Sequence, residues 1–313
     1  MDRKLIVAIF FLIILLFKLP ILNMPFHWDD LQGTLSPALY IYEQKLGALS
    51  FRGYDIGHPP FFYALLALSW WIFGYSLWVS HAIVIIFTFL GVYFTYLTGK
   101  ELQAEKTGIV AAILLFFSPL YFAQSGTLNL DLPLSALAIM TFYFALKGNI
   151  KLYAISGICL VMTKVLGLVL ILSLLLFIAL GKKLYPARPE KTRFKLAMAS
   201  LCILAVFLCW AAFHKHKTGW VLCPRIFGQS FGLAASPSFY RVVRSLFANI
   251  KALFFNDFRF ILSLCIIYAA LIKKPSRKNV LVALFVFLIF AALVCFLDKK
   301  TVIYLYFSIF GYG

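Results

Sequence analysis

A polytopic bundle of membrane-spanning α-helices, about ten in number, is the architecture this chain should adopt. Its 313 residues are 63% hydrophobic and 13% charged, with a mean hydropathy of +0.95. Soluble domains are about half apolar and about a quarter charged, so a water-soluble globule is excluded. The apolar residues, 34 Phe among them, form several stretches of about 18 residues or more. A β-barrel would instead alternate apolar and polar residues along each strand. Lys and Arg number 29 against 11 Asp and Glu. In such a chain this excess points to cytoplasmic loops and anionic lipid, not to nucleic acid. Cys159, Cys202, Cys209, Cys265 and Cys295 lie in apolar runs and Cys223 stands in a polar loop, so no disulfide framework is expected.

The first run, 5–22, follows Asp2-Arg3-Lys4 and continues into Lys18-Leu19-Pro20 without a small-residue cleavage site, which marks an uncleaved signal anchor. Further spans are expected near 77–98, 109–123, 132–146, 152–163, 166–180, 196–213, 258–272 and 280–297, with a last run at 301–313. The stretch 59–74 is short for a span, and its Trp70-Trp71 pair suits a helix at the membrane surface. Sidedness follows from the short basic loops, which belong in the cytoplasm. These are Arg3/Lys4, Lys100/Lys106, Lys147/Lys151, Lys182–Lys195 and Lys273–Lys278. All five fall on one side only if 59–74 does not cross and 152–180 is two short helices meeting near Thr163-Lys164. The rival topology, with 59–74 crossing and 152–180 as one span, moves Lys100/Lys106 and Lys147/Lys151 outside. The organisation expected is a module at 1–195, with an outer loop at 23–76, and further spans at 196–313 with a basic outer loop at 214–257. No internal repeat or low-complexity tract interrupts it.

The favoured topology brings Asp29, Asp30, His58, Asp131 and Lys164 to the outer face. Adjacent carboxylates at Asp29-Asp30 crowd one another, so one tends to stay protonated to higher pH, a useful property in a general base. The same residues could instead cap the helix that starts at Leu31. Gly57-His58-Pro59-Pro60 fixes the entry to a helix, and His58 there could bind substrate or simply form interfacial hydrogen bonds. Asp131, in Asn129-Leu130-Asp131-Leu132-Pro133, reads equally as a cap or as a site acid. Lys164 lies inside the run from Leu152 to Leu180, where facing lipid would cost about 2.5–3.5 kcal/mol, so it should face a polar cavity. The loop 214–257 carries Arg225 among its basic residues, which suits either lipid headgroups or a phosphate-bearing substrate. His214-x-His216, flanked by lysines with no nearby acid, is a basic cluster more than a metal site. No P-loop, GxGxxG, HExxH, GxSxG or CxxC motif is present, which disfavours nucleotide-driven pumps and the usual hydrolases. Any group donor is then expected to be lipid-linked.

The order of these motifs is informative. A first span, Trp28-Asp29-Asp30, His58-Pro59-Pro60-Phe61-Phe62-Tyr63, Leu130-Asp131-Leu132-Pro133 and Leu160-Val161-Met162-Thr163-Lys164 follow one another. The series resembles the protein O-mannosyltransferase and aminoarabinose (lipid A) transferase superfamily, including the RgtA/B/C/D-like bacterial glycosyltransferases of the GT-C fold. The resemblance covers residues 1 to about 180 well and the remainder loosely. It implies that Asp29, or its neighbour Asp30, is the catalytic acid of the first outer loop. It sets His58 at the Lys/His position before the double proline, Asp131 at an outer-face acid, and Lys164 in a Thr-Lys motif near the donor phosphate. Some members carry an acid before the double proline where this chain has Gly57, so a divalent metal stays possible by the resemblance but has no support from the sequence, and no other cofactor is implied. The Arg of a second-half Arg-Tyr motif is missing at Lys300-Thr301-Val302-Ile303-Tyr304, and members usually run longer, so a shortened member is expected.

The implied activity is an inverting transfer of a sugar from a polyprenyl-phosphate donor to a lipid, glycan or protein acceptor at the outer face of the cytoplasmic membrane. His58, Lys164, Asp131 and Arg225 would bind the lipid phosphate. A transporter or flippase would also use intramembrane Lys and Asp, but should carry an inverted repeat that is not seen; an inactive shortened homologue is the third reading. The topology sets Cys223 outside. A membrane-impermeant thiol reagent should label it on intact cells and leave Cys223→Ser unlabelled; labelling only after permeabilisation would reverse the sidedness.

Overall fold

The computed structural model describes residues 3–27, 30–45, 57–184, 189–219 and Phe247. The chain divides into two compact units, Met1–Ile171 with Phe194–Leu222 and Leu172–Arg193 with Cys223–Gly313. Every regular element among the described residues is helical, and the fold is an all-α polytopic membrane bundle.

Helix α1, Arg3–Lys18, runs into a 3₁₀ turn at Leu19–Ile21 that begins around Pro20. A π-turn at Leu31–Leu35 continues as α2, Ser36–Glu43. Helix α3, Phe61–Phe73, begins after two prolines, which have no N–H to offer a helix ladder, and stops at Gly74 with φ of +85°. Helix α4, Leu77–Leu102, is 26 residues long, about 39 Å, enough to cross a hydrocarbon core of about 30 Å. The hairpin partner of α4 is α5, Glu105–Phe116, followed by the short α6, Pro119–Gln124. Helix α7, Asp131–Lys147, ends on left-handed Gly148. Asn149 then caps α8, Ile150–Val161, by accepting the Leu152 N–H. Helices α9, Leu166–Leu184, and α10, Glu190–Thr218, complete the described chain.

Two of these elements differ from the sequence expectation. The span at 109–123 is broken, because Ser118 is extended and Pro119 starts a new helix. The span at 196–213 is longer, since its basic ends at Lys191–Lys195 and Lys215–Lys217 remain helical. Among the described residues, Leu77–Leu102 and Glu190–Thr218 are long and apolar enough to cross a membrane, and Leu5–Ile21, Phe61–Phe73, Ile150–Val161 and Leu166–Ala179 are shorter apolar helices. The expected spans at 258–272, 280–297 and 301–313 lie outside the described residues.

In the first unit, α4 is the central staff, packed on α1, α3, α5 and α7. Its crossing with α5 is close because Gly99 faces Gly108. Farther along, the Tyr121 hydroxyl donates to the Thr88 carbonyl at 3.1 Å. Helix α8 packs against α10 through Gly157 and Ile203, with the Tyr153 hydroxyl 2.6 Å from Ser200 Oγ.

The bundle has two chemically different ends. At one, Lys147 pairs with Glu101 at 3.0 Å and Lys100 with Glu105 at 3.2 Å. At the other, His81 near the start of α4 meets the Met24 carbonyl beyond α1 at 3.0 Å. Helix α3 belongs wholly to this second end. Its first N–H, from Phe61, bonds the Met162 carbonyl at 2.9 Å, and its last turn is tied to the start of α4 by the Trp70–Ser80 bond at 2.8 Å. Of the tryptophan pair, Trp70 is buried inside while Trp71 is exposed.

The close α4–α5 crossing is testable. A Cβ at Gly108 would meet the Tyr96 carbonyl and the Lys100 backbone nitrogen. Gly108→Ala should destabilise the bundle by about 1–3 kcal/mol through overpacking, despite the better helix propensity of Ala. The readout is the thermal midpoint of detergent-purified protein.

Candidate active site

Asp30 follows directly from the way the chain leaves α1. Lys18, the last residue of that helix, is buried, donates to the Phe122 carbonyl at 2.8 Å and lies 3.6 Å above the Phe122 ring. This cation holds the end of α6, after which the chain turns through Leu128 toward Asp131. Asp30 is 3% exposed. Its carboxylate accepts the His27 N–H at 3.3 Å and the Leu128 N–H, while Leu31 donates back to the His27 carbonyl at 3.1 Å. Asp30 therefore does not cap the helix at Leu31; its backbone is already helical and its side chain reaches backward. Burial raises its pKa, opposed by the two backbone N–H bonds and by the nearby His27 and His81.

The second group forms where α8 stops. Thr163 turns its hydroxyl back onto the Cys159 carbonyl at 2.7 Å, and the chain reverses at Lys164 before α9 begins. Gly167 lies where any side chain would meet the Leu160 carbonyl, which permits the tight break. The break sends the Lys164 ammonium to Asp131, 2.5 Å from Oδ1. Asp131 opens α7 and takes its own N–H bond from the Asn129 side chain at 3.1 Å. The two side chains are 23% and 22% exposed, so the pair is part-buried and open on one side.

His58 completes this group. The residues before α3 are fixed by the Phe61–Met162 bond, and the His58 ring comes within electrostatic reach of both Lys164 and Asp131. Its Nδ1 is buried without a hydrogen-bond partner. Burial first, and then the Lys164 charge, push its pKa down to about 3. The imidazole is neutral at physiological pH, so it can hydrogen-bond but adds no charge.

The structure thus brings together His58, Asp131 and Lys164, and joins Asp30 to them through the Leu128–Asp131 turn. Asp29 and Arg225 lie outside the described residues, as does Cys223. Sequence reasoning missed Lys18, His27 and His81. A histidine in the second turn of a long apolar helix is itself a signal, since polar groups at such depth need a partner. Among the described residues no three His, Cys, Asp or Glu side chains could share a metal ion. Asp131 is engaged by Lys164 and Gly57 offers no ligand, so the residues described do not fit a divalent metal.

The Lys164–Asp131 pair predicts a coupled pattern of stability. Lys164→Met strands a part-buried carboxylate and should cost about 3 kcal/mol, the lower end for a broken buried pair. Adding Asp131→Asn should recover most of that loss. Thermal unfolding of the two single variants and the double variant measures the coupling, and additive losses would mean that the pair does not stabilise the fold.

Three comparisons place this arrangement among known proteins. Residues 57–213, about half of the chain, match the dolichyl-phosphate-mannose-protein mannosyltransferase family. The fold is similar to the crystal structure of ArnT from Cupriavidus metallidurans bound to undecaprenyl phosphate, with a TM-score of 0.65, 14% identity, and coverage of 95% of this chain and 57% of that one. The apo state of that ArnT gives a TM-score of 0.53, 15% identity and coverage of 92% and 59%. The chain thus spans under three fifths of the length of the structures it matches. No curated protein matches it in sequence. With the motif order, the fold and the profile in agreement, the chain belongs to the dolichyl-phosphate-mannose-protein mannosyltransferase family and has a GT-C glycosyltransferase fold.

Proposed function

We propose that this protein moves a sugar from a polyprenyl-phosphate donor to a lipid, glycan or protein acceptor, by a single inverting displacement. The observation that carries the reading is the cluster of Lys164, Asp131 and His58 at the same end of the bundle as the acidic segment. Family membership and the likeness to an ArnT with bound undecaprenyl phosphate support a lipid-linked donor.

In this scheme the acceptor oxygen attacks the anomeric carbon, the bond from that carbon to the phosphate oxygen breaks, and the hydroxyl proton passes to a carboxylate. Asp30 already accepts two backbone N–H bonds in a buried setting, which suits an anchor for the segment. Asp29 is then the base. A carboxylate is a weak base toward an alcohol, so proton transfer belongs late, in the transition state. Lys164 retains donors beyond the one given to Asp131 and would meet the charge growing on the departing lipid phosphate. His58 would add a neutral hydrogen bond, and Arg225 of the 214–257 loop a second cation. The module 1–195 would hold the chemistry.

The outer face of the cytoplasmic membrane is the proposed location. Lys100 and Lys147, with their acidic partners, occupy the end of the bundle opposite to this cluster, and short basic loops belong inside.

The test is purified protein with a panel of polyprenyl-phosphate sugars, following release of the lipid phosphate. Asp29→Asn should lower transfer by at least ~10²-fold while donor binding persists. The double variant Lys164→Met, Asp131→Asn should stay folded and lose donor binding. An active Asp29→Asn beside an inactive Asp30→Asn would give the base role to the neighbour; full activity in both would refute the scheme.

A further inference from the structure

We infer that His81 is a positioning residue: it clamps the stretch from Met24 to His27 onto α4 and so fixes where the acidic segment stands. The inference rests on the proposed role of that segment and extends it to a residue on a different helix.

His81 lies in the second turn of α4 and is 1% exposed. Its Nε2 is 3.0 Å from the Met24 carbonyl. A carbonyl only accepts, so Nε2 carries the hydrogen and donates. The ring also packs against Phe26, with centroids 5.2 Å apart and planes at 30°. Asp30 lies within electrostatic reach of it. Two points of the departing chain, Met24 and Phe26, therefore meet one side chain.

The second ring nitrogen shows why packing alone does not explain this residue. Nδ1 is buried and has no hydrogen-bond partner among the described residues. A buried ring nitrogen left unpaired is a cost that Leu or Phe at the same helix position would avoid. What His81 supplies and those residues cannot is the donor to Met24. That bond matters because residues 24–27 lie outside any regular element. Met24 donates to the Ile21 carbonyl, and its own carbonyl is taken by His81. The long, rigid α4 thus acts as the reference against which the segment is registered.

The experiment compares His81→Phe, which keeps the ring and its contact with Phe26, with His81→Gln, whose amide can replace the Nε2 donor. His81→Phe should lower kcat about 10- to 100-fold, the scale of a misplaced reacting group, with KM for the donor changed less than about twofold. His81→Gln should restore most of kcat. Amide hydrogen exchange of a peptide covering residues 24–31 supplies a readout independent of turnover. It should quicken by about tenfold or more in His81→Phe, return in His81→Gln, and leave the middle of α4 unchanged. Unaltered exchange at 24–31 in His81→Phe would overturn the clamp. Faster exchange with wild-type kcat would leave the clamp standing and count against the acidic segment as the base. If His81→Gln behaves like His81→Phe in both measurements, the hydrogen bond is not what positions the segment.

Discussion

An ammonium group within an apolar helical run needs an anion or a dense set of acceptors, and Lys164 finds its anion in Asp131. The contact goes with two further features. Lys164 stands within an interruption, with α8 and α9 separated by Met162–Val165. Interruption frees carbonyls at the end of α8, which in an apolar setting must be satisfied internally. The Met162 carbonyl accepts the Phe61 N–H, which opens α3 and has no partner within that helix. Two helix ends thus complete each other, and the bond that results brings His58 to the ion pair. The residues that look like a reaction centre are also the residues that let the bundle turn there.

Much of this arrangement was legible in the sequence because charge is conspicuous in an apolar chain. The basic loops favoured a topology in which 152–180 breaks near Lys164, and the structure has a break at that point. Less legible were the features set by tertiary contact. The interruption at Ser118-Pro119 sits in a run that is apolar throughout, and only the missing N–H of Pro119 marks it. The part played by Asp30 was hidden for another reason. Whether a carboxylate caps forward or reaches back depends on the backbone at the preceding residues, which composition does not reveal. His81, Lys18 and His27 were missed because their partners are carbonyls, aromatic rings and backbone groups far along the chain, and those leave no motif.

Asp30 shows how firmly the fold holds one carboxylate of the acidic segment. Asp30 is withdrawn from solvent and tied to the backbone of two distant stretches. Its burial favours the protonated form while its N–H partners favour the ionised one. Such a group is well suited to hold a loop and ill suited to exchange protons quickly with a substrate.

Lys18 has a consequence for the birth of the protein. Its buried ammonium rests on the carbonyl and ring of Phe122, 104 residues farther along the chain. While the nascent chain is still short, neither group exists, and the first helix carries an uncompensated cation at its end. The ribosome must deliver the chain as far as α6 before that charge can leave water or the headgroup layer. Helix α1 therefore enters the bilayer early and reaches its final depth late. At its Lys18 end, the docking of α1 waits for the middle of the molecule.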